Sequence, residues 1–162
     1  MRRVRFGIAD RLVLTPIEMK GAVMPTLIIA VLVYFTGGSF MSLAVISGML
    51  TGTFLFPLLL PYLPTKDFST KGFVLGGIFA FILIYLSRLW VEDMALWLKI
   101  GQSLSHLLIW PALVGFFALN FTGSTPFASR TGVKKEIKRY ARLMAVSFAL
   151  GVILNLALGF LK

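Results

Sequence analysis

The chain contains no cysteine and one histidine, His106, among its 162 residues. It therefore forms no disulfide, offers no thiolate to a soft metal and holds no iron–sulfur cluster through cysteine. A multi-histidine metal site within one copy is excluded as well. Acids are scarce too: Asp10, Glu18, Asp67, Glu92, Asp93 and Glu136 are the only six. They fall mostly in the connections between apolar runs. A membrane enzyme acting on lipid would need a nucleophile or paired carboxylates, and this distribution argues against one.

Apolar residues are abundant. They make up 58% of the chain against 14% charged, a balance far from that of a soluble domain. A bilayer core takes roughly 20 apolar residues per helix, so the length accommodates about five crossings with short connections. The expected fold is an all-α integral membrane protein, a bundle of about five transmembrane helices. Little remains for a soluble domain.

The net charge of +10 comes from 16 Lys and Arg residues. They stand between or before the apolar runs, which points to lipid headgroups and topology rather than nucleic acid. Residues 1–20, 64–71 and 120–142 hold 13 of the 16, and in a five-span bundle these segments alternate onto one side. The positive-inside rule makes that side cytoplasmic. The expectation is a multi-pass protein of the cell membrane with a cytoplasmic N-terminus and an outside C-terminus. No cleavage site follows the first apolar run, so no signal peptide is expected.

Residues 1–20 form a basic cytoplasmic segment, and 21–162 the transmembrane domain. Thr15-Pro16-Ile17-Glu18 reads as a helix start, with Thr15 as cap, Pro16 at the first helical position and Glu18 completing a capping box. The first span, about 16–35, carries Pro25, which predicts a kink. Gly37-Gly38-Ser39 predicts a tight turn into a second span, about 40–63, where Ala44, Gly48 and Gly52 recur every four residues and allow close helix packing. A third span covers about 72–89. The stretch after it, rich in Trp and charge, suits a short interfacial surface helix. The fourth, about 101–119, is the most polar, with Gln102, Ser103, Ser105 and His106. The longest polar connection follows from Asn120 to Arg139. The fifth span is about 140–161, with Ser147, Gly151, Asn155 and Gly159 on a face expected to point inward, because Asn155 is costly against lipid.

Two segments carry a family resemblance. One is Met1-Arg-Arg-Val-Arg-Phe6 through Asp10-Arg-Leu-Val-Leu-Thr-Pro-Ile-Glu18, and the other is Asn120-Phe-Thr-Gly-Ser-Thr-Pro-Phe127 with Gly132-Val-Lys-Lys-Glu136. They resemble the membrane region of the mercury-methylation corrinoid proteins. In that family a soluble corrinoid-binding domain, related to the corrinoid iron–sulfur protein of the acetyl-CoA pathway, precedes a helical membrane domain. The family's cofactor motif, an Asn-Val-Trp-Cys-Ala-Ala-Gly-type helix cap, has no counterpart here. The resemblance thus implies no catalytic, cofactor-binding or metal residue in this chain. It implies a corrinoid (cobalamin) domain that is fused or separate, joined near Arg2 to Asp10, and a ferredoxin-type iron–sulfur partner.

Two groups of residues are candidates for function. The connection offers Asn120, Thr122, Gly123, Ser124 and Thr125 beside Arg130, Lys134, Lys135, Lys138 and Arg139, a polar turn next to cations. It lacks the Gly-Lys-Ser/Thr ending of a P-loop. It reads either as a docking surface for the corrinoid domain or its ferredoxin-type partner, or as a topology signal touching anionic lipid. Within the membrane, Gln102, His106 and Asn155 are the polar positions. His106 reads as a proton or metal relay, or as a satisfied histidine bonding Gln102 or a neighbouring helix, and Asn155 as interhelical glue. The seven Met residues are scattered and fit packing better than a metal pathway. The leading expectation is a non-catalytic membrane anchor and docking domain of a corrinoid methyltransferase system, which by resemblance moves a methyl group from cobalt to Hg(II). The alternative is a small transporter or permeation subunit for a metal complex or small solute.

Overall fold

The computed structural model describes residues 15–65, 67–124, 134 and 136–161, with no strand among them. Helix α1 spans Thr15–Leu50, passes through a π-helical turn at Thr51–Leu55 and ends in the short α2, Phe56–Leu59. Helix α3 is Phe68–Leu86 and α4 is Leu96–Ser124. A second π-helical turn, Ile137–Ala141, leads into α5, Arg142–Phe160.

Among the described residues four helical runs, not five, are long and apolar enough to cross a membrane: Met19–Leu59, Phe68–Leu86, Leu96–Asn120 and Ile137–Phe160. The expected first and second spans lie in one run because the chain leaves helical geometry at a single residue. Gly38 has φ 74° and ψ −174°, a conformation essentially closed to residues with a Cβ, and helical bonding resumes at once on both sides. Pro25 also sits inside α1, and the break in helical geometry falls at Gly38, within the expected Gly37-Gly38-Ser39 turn. Gly21 and Met49 line one cavity, yet an unbroken helix would hold them about 42 Å apart. The half of α1 after Gly38 thus turns back toward the half before it.

The π-helical turn at Thr51–Leu55 has a local cause in Pro57. A proline ring crowds the carbonyl four residues earlier and removes one ladder bond. Here the Phe56 N–H bonds instead to the Thr51 carbonyl. Thr51 and Thr53 hydroxyls donate to the carbonyls of Ser47 and Met49, each at 2.8 Å.

Helix α4 is the centre of the bundle. Half of its most apolar window is buried, against 39% for α3, 11% for the first run and 17% for the last, so the first and last runs are an outer layer whose apolar faces suit lipid. Helix α3 lies against it with backbones touching: a Cβ on Gly72 would stand 2.7 Å from Gly115 Cα, and one on Gly76 2.6 Å from Pro111 Cα. On another side the Ala44, Gly48, Gly52 face receives aromatic rings. A Cβ on Gly48 would meet Trp110 at 2.6 Å, and one on Gly52 would meet Phe117 at 2.6 Å. That stripe is therefore an internal seam of the bundle.

Two boundaries differ from expectation. Residues after Leu86 form turns rather than a surface helix, with Arg88 at φ 54°. Helix α4 also runs on through Ser124, so the chain does not leave helical structure at Asn120.

Candidate functional site

Among the described residues, two places collect polar side chains: the end of the bundle where Asp67 meets Tyr140 beside Glu136, and a cavity beside α4. At the first, the N-terminus of α3 exposes backbone N–H groups that helical bonding leaves unpaired. The Glu136 carboxylate supplies their acceptors. Its Oε1 accepts the Phe68 N–H at 3.4 Å, and its Oε2 accepts the Ser69 N–H at 3.2 Å and the Ser69 hydroxyl at 2.9 Å. A negative charge there also complements the helix dipole. One turn along, the Tyr140 hydroxyl donates to Asp67 Oδ2 at 2.8 Å. The Lys71 ammonium donates to the Leu60 carbonyl at 2.9 Å, tying the end of α2 to α3.

These contacts commit both acids inward. Lys134, Lys138, Arg139 and Arg142 are exposed, and the Arg139 guanidinium carbon lies 5.6 Å from the Tyr140 ring centre. The sequence-based candidates Lys134, Lys138 and Arg139 thus share one solvent-facing segment. Thr125, Arg130 and Lys135 lie outside the described residues, as do the side chains of Thr122, Gly123 and Ser124 and that of Glu18 in the expected capping box. Asn120 is exposed on α4 and also borders the cavity.

The cavity has a volume of about 1000 Å³ and lies between α1, α4 and α5. Its walls are chiefly apolar, and among the described residues no Asp, Glu, Lys or Arg lines it. His106 and Asn155 both border it. His106 does not bond Gln102. Its Nδ1 accepts the Trp110 indole N–H at 3.2 Å, from one turn further along α4. Because an indole only donates, this bond makes Nδ1 the acceptor and leaves the proton of the neutral ring on Nε2.

Asn155 joins α5 to α4. Its amide nitrogen donates to Ser105 Oγ at 3.1 Å, and Ser105 Oγ donates to the Gln102 carbonyl at 2.8 Å. The hydroxyl proton is spent on Gln102, so the Asn155 amide must present nitrogen to Ser105. Ser147 Oγ donates to the Leu108 carbonyl at 2.9 Å, and a Cβ on Gly151 would stand 2.7 Å from Ile109. Three positions of the expected inward face therefore meet α4. The fourth, Gly159, has open space around it and borders the cavity. Among the described residues the Ser103 hydroxyl is buried without a partner, and nothing in the structure explains it.

Sequence reasoning missed Trp110 and Glu136. The i, i+4 spacing of His106 and Trp110 was a usable signal. So was the position of Glu136 as the only acid among the cations of its segment. Among the described residues no three His, Cys, Asp or Glu side chains are placed to hold a metal ion. The chain matches no protein-family profile, no curated protein and no solved structure.

Proposed function

We propose that this chain is a non-catalytic membrane anchor and docking domain of a corrinoid-dependent methyltransferase system, in which a methyl group passes from cobalt to Hg(II). The Glu136 clamp carries the reading. It holds Glu136, the last residue of the stretch that resembles the corrinoid family, at the bundle end, beside the exposed Lys134, Lys138 and Arg139. A cationic patch at a membrane surface suits an acidic partner face. Anchoring raises the effective concentration of a fused or separate corrinoid domain near that patch. The cobalt chemistry belongs to that domain and its ferredoxin-type reductant. The patch lies on the cytoplasmic side of the cell membrane.

The test is binding of the soluble corrinoid domain to the chain in lipid nanodiscs. Replacing Lys134, Lys138 and Arg139 with Gln should weaken binding at least about tenfold with insertion intact, the scale expected when several interfacial charges are lost. Unchanged binding would reduce the patch to a topology signal.

The cavity favours a second reading, a permeation subunit for a small neutral solute or uncharged metal complex, because no charged side chain of the described residues lines it. Proteoliposomes that pass no uncharged mercuric chloride faster than protein-free vesicles would exclude this reading for that solute.

A further inference from the structure

We propose that the cavity beside α4 holds a lipid-soluble molecule with a long apolar body and a carbonyl oxygen that accepts the Nε2 proton of His106. This inference stands apart from docking. It rests on the cavity and one hydrogen-bond donor, not on the cationic patch. His106 is 98% buried, being 2% exposed, and it borders the cavity. The Trp110 bond occupies Nδ1 and places the proton on Nε2, and Nε2 has no partner among the described residues. A chiefly apolar pocket in which the His106 N–H is a fixed, unpaired donor selects an apolar ligand with an acceptor for it. The volume of about 1000 Å³ suits a lipid tail or ring far better than a small ion.

The cavity borders on Gly21 and Asn120 as well as on Gly37 and Phe160. It therefore runs along the helices, as an elongated occupant requires. With no charge on the described residues that line it, the recognised group is neutral. Two sources share this chemistry: the ester carbonyl of a glycerolipid and the ring carbonyl of an isoprenoid quinone.

Glycines supply clean probes. Gly21 and Gly159 border the cavity and have nothing within 4 Å of where a Cβ would stand, whereas Gly77 is equally open but lies off the cavity. Gly21→Leu and Gly159→Leu add bulk at the cavity wall at positions where the Cβ itself meets nothing, and Gly77→Leu is a size-matched control. His106→Asn keeps an acceptor near the place of Nδ1 for Trp110 and removes the Nε2 donor.

The experiment uses the full chain in detergent with Trp90→Phe and Trp97→Phe, which replace two exposed indoles and leave Trp110 as the reporter. Decylbenzoquinone is titrated against Trp110 fluorescence, and solvent extracts of the purified chain are analysed by mass spectrometry for lipid per chain. Saturable quenching assigns the quinone. A stoichiometric glycerolipid without saturable quenching assigns the ester. In either case the paired Gly21→Leu, Gly159→Leu chain should lose binding at least about tenfold, a steric exclusion, and Gly77→Leu should not. His106→Asn should weaken binding about three- to tenfold, the worth of one hydrogen bond. Absence of both quenching and retained lipid would overturn the proposal, as would binding that survives cavity filling. Binding indifferent to His106→Asn would overturn the carbonyl contact.

Discussion

Glu136 Oε2 stands 2.9 Å from the hydroxyl of Ser69, a side chain with no solvent exposure and 67 residues earlier in the chain. The same carboxylate takes both backbone N–H groups at the start of α3. Removing it leaves a buried hydroxyl and two helix-end donors without acceptors. Glu136→Ala should therefore lower stability by about 2 to 3 kcal/mol, the cost of stranding buried donors. Glu136→Gln, which keeps one acceptor oxygen, should cost about half as much. Thermal unfolding in detergent, followed by circular dichroism, measures both.

Tyr140→Phe removes only the 2.8 Å bond to Asp67. Asp67 is partly exposed, so water can replace the lost donor. The expected loss is about 0.5 to 1 kcal/mol in the same unfolding assay. A loss as large as that of Glu136→Ala would show that the two contacts form one cooperative unit.

Glycine substitutions should sort by what the new Cβ meets. Gly76→Ala drives a methyl to 2.6 Å from Pro111 Cα and 2.7 Å from the Trp110 carbonyl oxygen. Backbone cannot yield as a flexible side chain does, so the loss should be about 1 to 3 kcal/mol. Gly77→Ala meets open space and should be neutral or slightly stabilising through helix propensity.

At Gly38 the constraint is dihedral, because nothing lies within 4 Å of a Cβ there while φ is +74°. Gly38→Ala should cost about 1 to 3 kcal/mol through backbone strain alone. A melting temperature equal to that of the parent chain would mean the break relaxes to another geometry.

Hydropathy made the apolar runs legible, and the four-residue spacing of Ser147, Gly151 and Asn155 identified the side of α5 that meets α4. The four-run count was not legible, because it turns on one dihedral angle at Gly38 that Gly37-Gly38-Ser39 permits without specifying. The start of α3 was misplaced for a different reason. The third span was expected from about residue 72, but the helix begins at Phe68, where its first N–H groups find an acceptor on Glu136, far away in sequence. The bond of His106 to Trp110 was local and readable, whereas the cavity beside them depends on how three helices pack.

The natural absence of cysteine makes topology directly measurable. The proposed cytoplasmic placement of the Glu136 clamp, together with the turn of the first run at Gly38, gives each end of the bundle its own set of reporters. Single cysteines at Lys20, Tyr62 and Lys138 should react with a membrane-impermeant maleimide only after the cells are permeabilised. Cysteines at Ser39, Val91 and Leu161 should react in intact cells. All six residues are exposed on the chain, so burial within the protein does not mask them. Labelling of Lys20 and Tyr62 from opposite sides, or of Lys138 from outside, would contradict this arrangement.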